Sequence, residues 1–164
     1  PKFFIMLLIA YALGLLKLSL ITFFIIMPYR MFSGGFHLHT HIGCIISTCT
    51  FYCGVAFLSK IILLNDITKY VLVLCVVIFG IVMIKLYAPA DTEEVPILSS
   101  KIRKQKQILS YVTFIIGMIL ALFIKDNVIC NIIIFGYFVQ TCMITRLAYR
   151  ITNSKYGHEV YENA

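Results

Sequence analysis

The sequence predicts an all-α polytopic membrane bundle, and three observations carry that reading. Hydrophobic residues make up 61% of the chain and the mean hydropathy is +0.97, whereas about half of a soluble domain is apolar. Charged residues are only 13%. The apolar runs are continuous, while barrel strands alternate between lipid and lumen, so a β-barrel is excluded. Residues 1–164 are expected to form one membrane-embedded domain of about six hydrophobic segments.

Those segments fall at 3–16, 18–29, 44–64, 70–87, 108–124 and 128–144. The first two could join into one long span, but Lys17 would then sit at mid-bilayer. No Asp or Glu lies in any span to pair with it, so the cost would be several kcal/mol. A tight turn at Gly14–Lys17 is expected instead. Because the chain opens on Pro1 and enters an apolar run at once, it is also expected to be N-terminally truncated.

Segment 18–29 is about 18 Å long, short of a hydrocarbon core of roughly 30 Å. Pro28, Gly34 and Gly35 argue against further helix, so this segment is expected to be short or re-entrant. The polar stretch after it would then begin below the membrane surface, where irregular backbone survives only inside protein or a wet cavity.

The linkers Asn65–Lys69 and Lys125–Asn127 are short and lie on one side. The loop 88–107 and the tail 145–164 share the other side with the polar stretch. That side carries Arg30, Lys85, Lys101, Arg103, Lys104, Lys106, Arg146, Arg150 and Lys155, against Lys2, Lys17, Lys60, Lys69 and Lys125. By the positive-inside rule the polar stretch, the loop and the C-terminus are expected to face the cytoplasm. The loop has an acidic front (Asp91, Glu93, Glu94) and a basic back, Lys101–Lys106. It reads as an ordered, peptide-contacting element, or as an anchor to anionic lipid.

Cys49, Cys53, Cys75, Cys130 and Cys142 fall within apolar segments, where cysteine behaves as a small hydrophobe. Cys44 differs. It closes the stretch Arg30-Met-Phe-Ser-Gly-Gly-Phe-His37-Leu-His39-Thr-His41-Ile-Gly-Cys44, which breaks an otherwise apolar sequence. A cysteine peptidase needs a thiolate, a histidine that takes and returns a proton, and a donor to the oxyanion. Cys44 and a motif histidine supply the first two. The Gly34 and Gly35 amides are candidates for the third, and Arg30 could hold a carboxylate or steady developing negative charge.

Spacing alone does not choose the histidine. On an unbroken helix His41 lies one turn before Cys44, while His37 is two turns away, about 10 Å along the axis. Straight-helix geometry favours His41. The alternation of His37, His39 and His41 also admits a zinc or copper site in an extended segment, with an incomplete ligand set. The alternatives to a peptidase are therefore a small histidine-using transporter or metal-handling protein, and a non-enzymatic membrane subunit.

The register of Arg30, Gly34, Gly35, His37 and Cys44 resembles the signature of the AgrB family, membrane cysteine peptidases of peptide quorum sensing. Tyr87-Ala-Pro-Ala-Asp91-Thr-Glu-Glu-Val-Pro96 is similar to the family's Ala-Pro-rich loop. The resemblance covers essentially the whole chain. It implies that Cys44 and His37 are the catalytic pair, which requires a non-helical bend between them. His39 and His41 stand outside the recognised motif.

The resemblance further implies an AgrD-like propeptide as substrate. Cleavage of its C-terminal part through an acyl-enzyme thioester would lead to a cyclic thiolactone or lactone. Lys101, Arg103, Lys104 and Lys106 are then expected to contact substrate. No metal or other cofactor is implied, and the expected partners are the propeptide, the bilayer and, by the same resemblance, a second copy of the chain, with no nucleic acid.

Overall fold

The computed structural model describes residues 2–38 and 40–162. Six apolar helices form the bundle: α1 (Lys2–Ala12), α2 (Leu16–Ser33), α3 (His41–Ile61), α4 (Asp66–Tyr87), α5 (Ser100–Phe123) and α6 (Asn127–Met143). Two short polar helices, α7 (Arg146–Ile151) and α8 (Gly157–Glu162), follow within the tail. Helices α2, α3, α4 and α5 are long and apolar enough to cross a membrane. The all-α polytopic expectation is met.

The turn between α1 and α2 lies where Lys17 required one, with Gly14 at φ +65° and Lys17 exposed in the first turn of α2. Segment 18–29 is corrected. The helix runs on through Pro28 to Ser33, giving 18 residues, about 27 Å, so it is longer than the segment 18–29 read from the sequence. A single proline removes only one backbone hydrogen bond, and packing within the bundle offsets that loss. The polar stretch therefore starts at the end of a nearly full-length span.

Helix α6 is the axis of the bundle, touching α2, α3, α4 and α5. Contacts within the bundle depend on small residues that let neighbours approach. A Cβ on Gly80 would enter the ring of Phe114, one on Gly117 the ring of Tyr137, and one on Gly136 the side chain of Ile26. Tyr29 stacks on Tyr137 at 5.1 Å and meets Phe114 at 5.4 Å between ring centroids. The Tyr29 hydroxyl is bonded to that of Thr141 at 3.0 Å.

The two ends of the bundle are closed differently. At the end away from the motif, polar side chains cap helix carbonyls. Lys69 donates to Ile124 O at 3.1 Å, and Asn131 donates to Ile62 O at 2.6 Å. At the motif end, residues 88–99 and the tail fold over one buried carboxylate, Asp91. Its Oδ2 accepts from Ile97 N and His158 N, both at 2.9 Å, and its Oδ1 lies 2.6 Å from His158 Nδ1. The Tyr149 hydroxyl donates to Asp91 O at 2.9 Å.

The expected 88–107 loop is thus only half loop, since α5 begins at Ser100 and carries Lys101–Lys106 on helix. Cys44, Cys49, Cys53 and Cys130 are buried, whereas Cys75 is exposed on α4.

Candidate active site

Arg30 stands in the last turn of α2. Its Nη1 donates to Gln140 Oε1 at 2.8 Å and reaches Met143 Sδ at 3.2 Å, and the guanidinium lies 6.0 Å from the ring centroid of Phe51. Gln140, wholly buried on α6, turns its Nε2 the other way, donating to Gly34 O at 2.8 Å and Ser33 Oγ at 3.1 Å. One amide side chain therefore joins the cation to the backbone at the start of the motif.

After Ser33 the helix stops because Gly34 adopts φ +74° and ψ −146°, a region essentially confined to glycine. Gly34 N closes the helix onto Arg30 O at 3.0 Å, and Gly35 N donates to Ala90 O at 2.9 Å. Ala90 N in turn donates to Ser33 O at 2.8 Å. A Cβ on Gly34 would fall onto the Ala90 carbonyl. The glycine pair thus fastens the motif to the 88–96 loop. Both amides, expected from the sequence as candidate oxyanion donors, donate here to backbone carbonyls.

Residues 35–38 are irregular, and α3 starts only at His41. Thr40 caps it from an extended conformation, its Oγ1 accepting from Gly43 N at 3.1 Å, while Cys44 N bonds Thr40 O at 3.0 Å. The chain between His37 and Cys44 is therefore not one helix, and the straight-helix preference for His41 loses its premise. His37 and Cys44 line the same cavity of about 240 Å³ with Arg30, Phe51, Tyr52 and Met143. His41 is exposed and is not part of that lining. His39 lies outside the described residues. Among the described residues no group of three or more His, Cys, Asp or Glu is placed to hold a metal ion.

The sequence matches the family model for accessory gene regulator B over residues 1–144. The chain belongs to the AgrB family. It is 25% identical over 155 residues to a protein of Clostridium acetobutylicum described only as AgrB-like, covering 94% of this chain and 72% of that one. A second AgrB-like protein, from Listeria innocua, is 27% identical over 162 residues, covering 98% and 78% respectively. No solved structure matches the chain. Membership places this AgrB chain in the accessory gene regulator system and links it to an AgrD-type propeptide.

The four basic residues expected to contact substrate have different surroundings in this AgrB chain. Arg103 turns inward, its Nη1 3.6 Å from Asp91 Oδ2 and its Nη2 3.3 Å from His158 Nε2. A guanidinium only donates, so that Nε2 accepts and the ring carries its proton on Nδ1, against Asp91. Lys106 borders a second cavity of about 240 Å³ that also touches Arg30, Gly34 and His37. Lys101 and Lys104 are exposed.

Three residues at this end escaped sequence reasoning: Gln140, Asp91 as a buried anchor, and Ser154, whose Oγ donates to His37 O at 3.0 Å. The first carried a usable signal, a glutamine inside an apolar run. The other two are set by long-range contacts. Tyr149 and Tyr156, stacked at 4.1 Å beneath the tail, both have hydroxyl pKa values raised chiefly by burial. They therefore serve there as neutral hydrogen-bond donors, to Asp91 O and Ile144 O.

Proposed function

We propose that this AgrB chain is a membrane-embedded cysteine endopeptidase in which Cys44 is the nucleophile and His37 the general acid–base. The observation that carries the reading is that both side chains line one cavity beside Arg30, across a non-helical segment. The first turn of a helix, where Cys44 sits, is also the end that favours negative charge.

The Cys44 sulfur, its proton passed to His37, attacks a peptide carbonyl of an AgrD-type propeptide. The C–N bond breaks, His37 protonates the departing amine, and a thioester to Cys44 remains. A cysteine thiol within the retained part of the substrate then attacks that thioester. A ring thiolactone leaves, and the Cys44 thiol is restored with the incoming thiol's proton. Exchange of one thioester for another conserves the acyl energy. A tethered nucleophile at high effective molarity outruns water, and the apolar cavity walls, Phe51 and Met143 among them, limit hydration.

Arg30 stabilises the negative charge that develops on the carbonyl oxygen, since the glycine amides are committed elsewhere. Lys106 meets substrate from the adjoining cavity. The motif end faces the cytoplasm, because nine of the fourteen lysines and arginines fall on that side of the chain.

The test is an intact-mass measurement on protein incubated with a propeptide whose internal nucleophile is replaced by alanine. The expected product is an adduct on Cys44 equal in mass to the N-terminal fragment less water. Cys44→Ala should abolish both adduct and cleavage, and Cys49→Ala should leave both intact. Undiminished cleavage by Cys44→Ala would rule the mechanism out.

A further inference from the structure

A second concave site lies at the motif end, separate from the cavity that holds Cys44. It is a cleft of about 340 Å³ between the end of α4, the first turns of α5 and the tail helices. Among the described residues its walls carry Lys85, Arg103, Lys104 and Arg146, against a single carboxylate, Glu159. Glu159 is held by Arg146 at 2.6 Å, and Arg103 faces Asp91. Lys85 and Lys104 have no ion-pair partner among the described residues. Arg103 adds a buried Nη1 with no hydrogen-bond acceptor among them. Arg103 and Arg146 are compensated by Asp91 and Glu159, so the excess positive charge lining the cleft is that of Lys85 and Lys104, and an anion would offset it.

The position of the cleft narrows the anion. Lys85 is in the last turn of the 22-residue apolar helix α4, and Lys104 is in the polar opening of α5, just before its apolar part. Both residues fall at the apolar-to-polar boundary of their helices, and basic pockets between spanning helices at that boundary take lipid phosphates. The same cleft includes Leu86, which is 60% exposed. A cationic floor beside an exposed apolar wall suits a molecule with a phosphate at one end and an acyl chain at the other. Ser99 makes no side-chain cap at the start of α5, so amides of that first turn remain to add to the positive field.

We propose that this cleft binds a phosphate-bearing anion, supplied by an anionic membrane lipid, through Lys85, Lys104, Arg103 and Arg146. The site does not depend on the peptidase reading, since it shares no lining residue with the Cys44 cavity.

The experiment is native mass spectrometry of the detergent-purified full chain with phosphatidylglycerol or phosphatidylcholine, with and without inorganic phosphate. Phosphatidylglycerol should be retained in preference to phosphatidylcholine. A cation near the surface contributes about fivefold in lipid affinity, so Lys85→Gln/Lys104→Gln should weaken retention roughly thirtyfold. Lys85→Arg/Lys104→Arg should retain the lipid, which separates loss of charge from loss of fold. Lys60→Gln/Lys125→Gln, at the other end of the bundle, should match the parent. Displacement of phosphatidylglycerol by inorganic phosphate would mark the phosphate itself as sufficient, and resistance would mark the lipid as the ligand. Equal retention of the two lipids, or unchanged retention by the Lys85→Gln/Lys104→Gln variant, overturns the proposal.

Discussion

Gly34→Ala is the substitution that most directly tests how the motif is held. The residue sits at φ +74° and ψ −146°, which costs a residue with a Cβ about 2 kcal/mol in strain. The new methyl would also fall on the Ala90 carbonyl, so the loop must withdraw. That withdrawal breaks Gly35 N→Ala90 O and Ala90 N→Ser33 O, at 2.9 and 2.8 Å, each contributing about 1 kcal/mol. The total is about 4 kcal/mol, and partial accommodation by the loop sets a floor of about 2 kcal/mol.

Because the cost falls on docking of residues 88–96 to α2, it should show first as local opening. Hydrogen exchange at the Gly35 and Ala90 amides should accelerate by between one and three orders of magnitude. Exchange in the middle of α6 should change far less. Gly54→Ala is the matched control, since its Cβ would meet nothing within 4 Å and alanine is the better helix former. Unchanged exchange at Gly35 and Ala90 in Gly34→Ala would refute the reasoning, because the clash and both hydrogen bonds predict the same outcome.

Gln140→Leu should lower stability by about 3 kcal/mol, because it strips acceptors and donors from Arg30, Gly34 and Ser33 together. Thermal unfolding in detergent measures this, and propeptide cleavage should fall with it. Asp91→Ala leaves Arg103 and the amides of Ile97 and His158 without their acceptor, at a cost of about 3–5 kcal/mol. Limited proteolysis should then cut residues 88–99 and the tail faster than in the parent. Gly80→Ala drives a methyl into the Phe114 ring and should cost about 1–3 kcal/mol. A melting temperature equal to the parent's would contradict the α4–α5 contact.

Much of this protein is written locally. Continuous apolar runs fix the six apolar helices, though not the two short ones of the tail, because in lipid only helix satisfies the backbone without a partner strand. An unpaired Lys17 dictated the first turn, and the register of Arg30, Gly34, Gly35, His37 and Cys44 carried the resemblance to the AgrB family. The end of α2 was misjudged from Pro28, because a local rule prices the lost hydrogen bond and omits the bundle contacts that offset it. Helix periodicity likewise pointed to His41, and it had no means of weighing a break enforced by glycine torsions and a threonine cap.

What only the tertiary structure decided is where polar groups find partners far along the chain. Gln140 meets Arg30 and Gly34, Ala90 meets Gly35, and Asp91 gathers Arg103 and His158. A buried polar side chain announces in the sequence that it needs a partner, because leaving it unpaired is costly. Which partner it finds depends on how the helices cross, and that is a property of packing rather than of spacing.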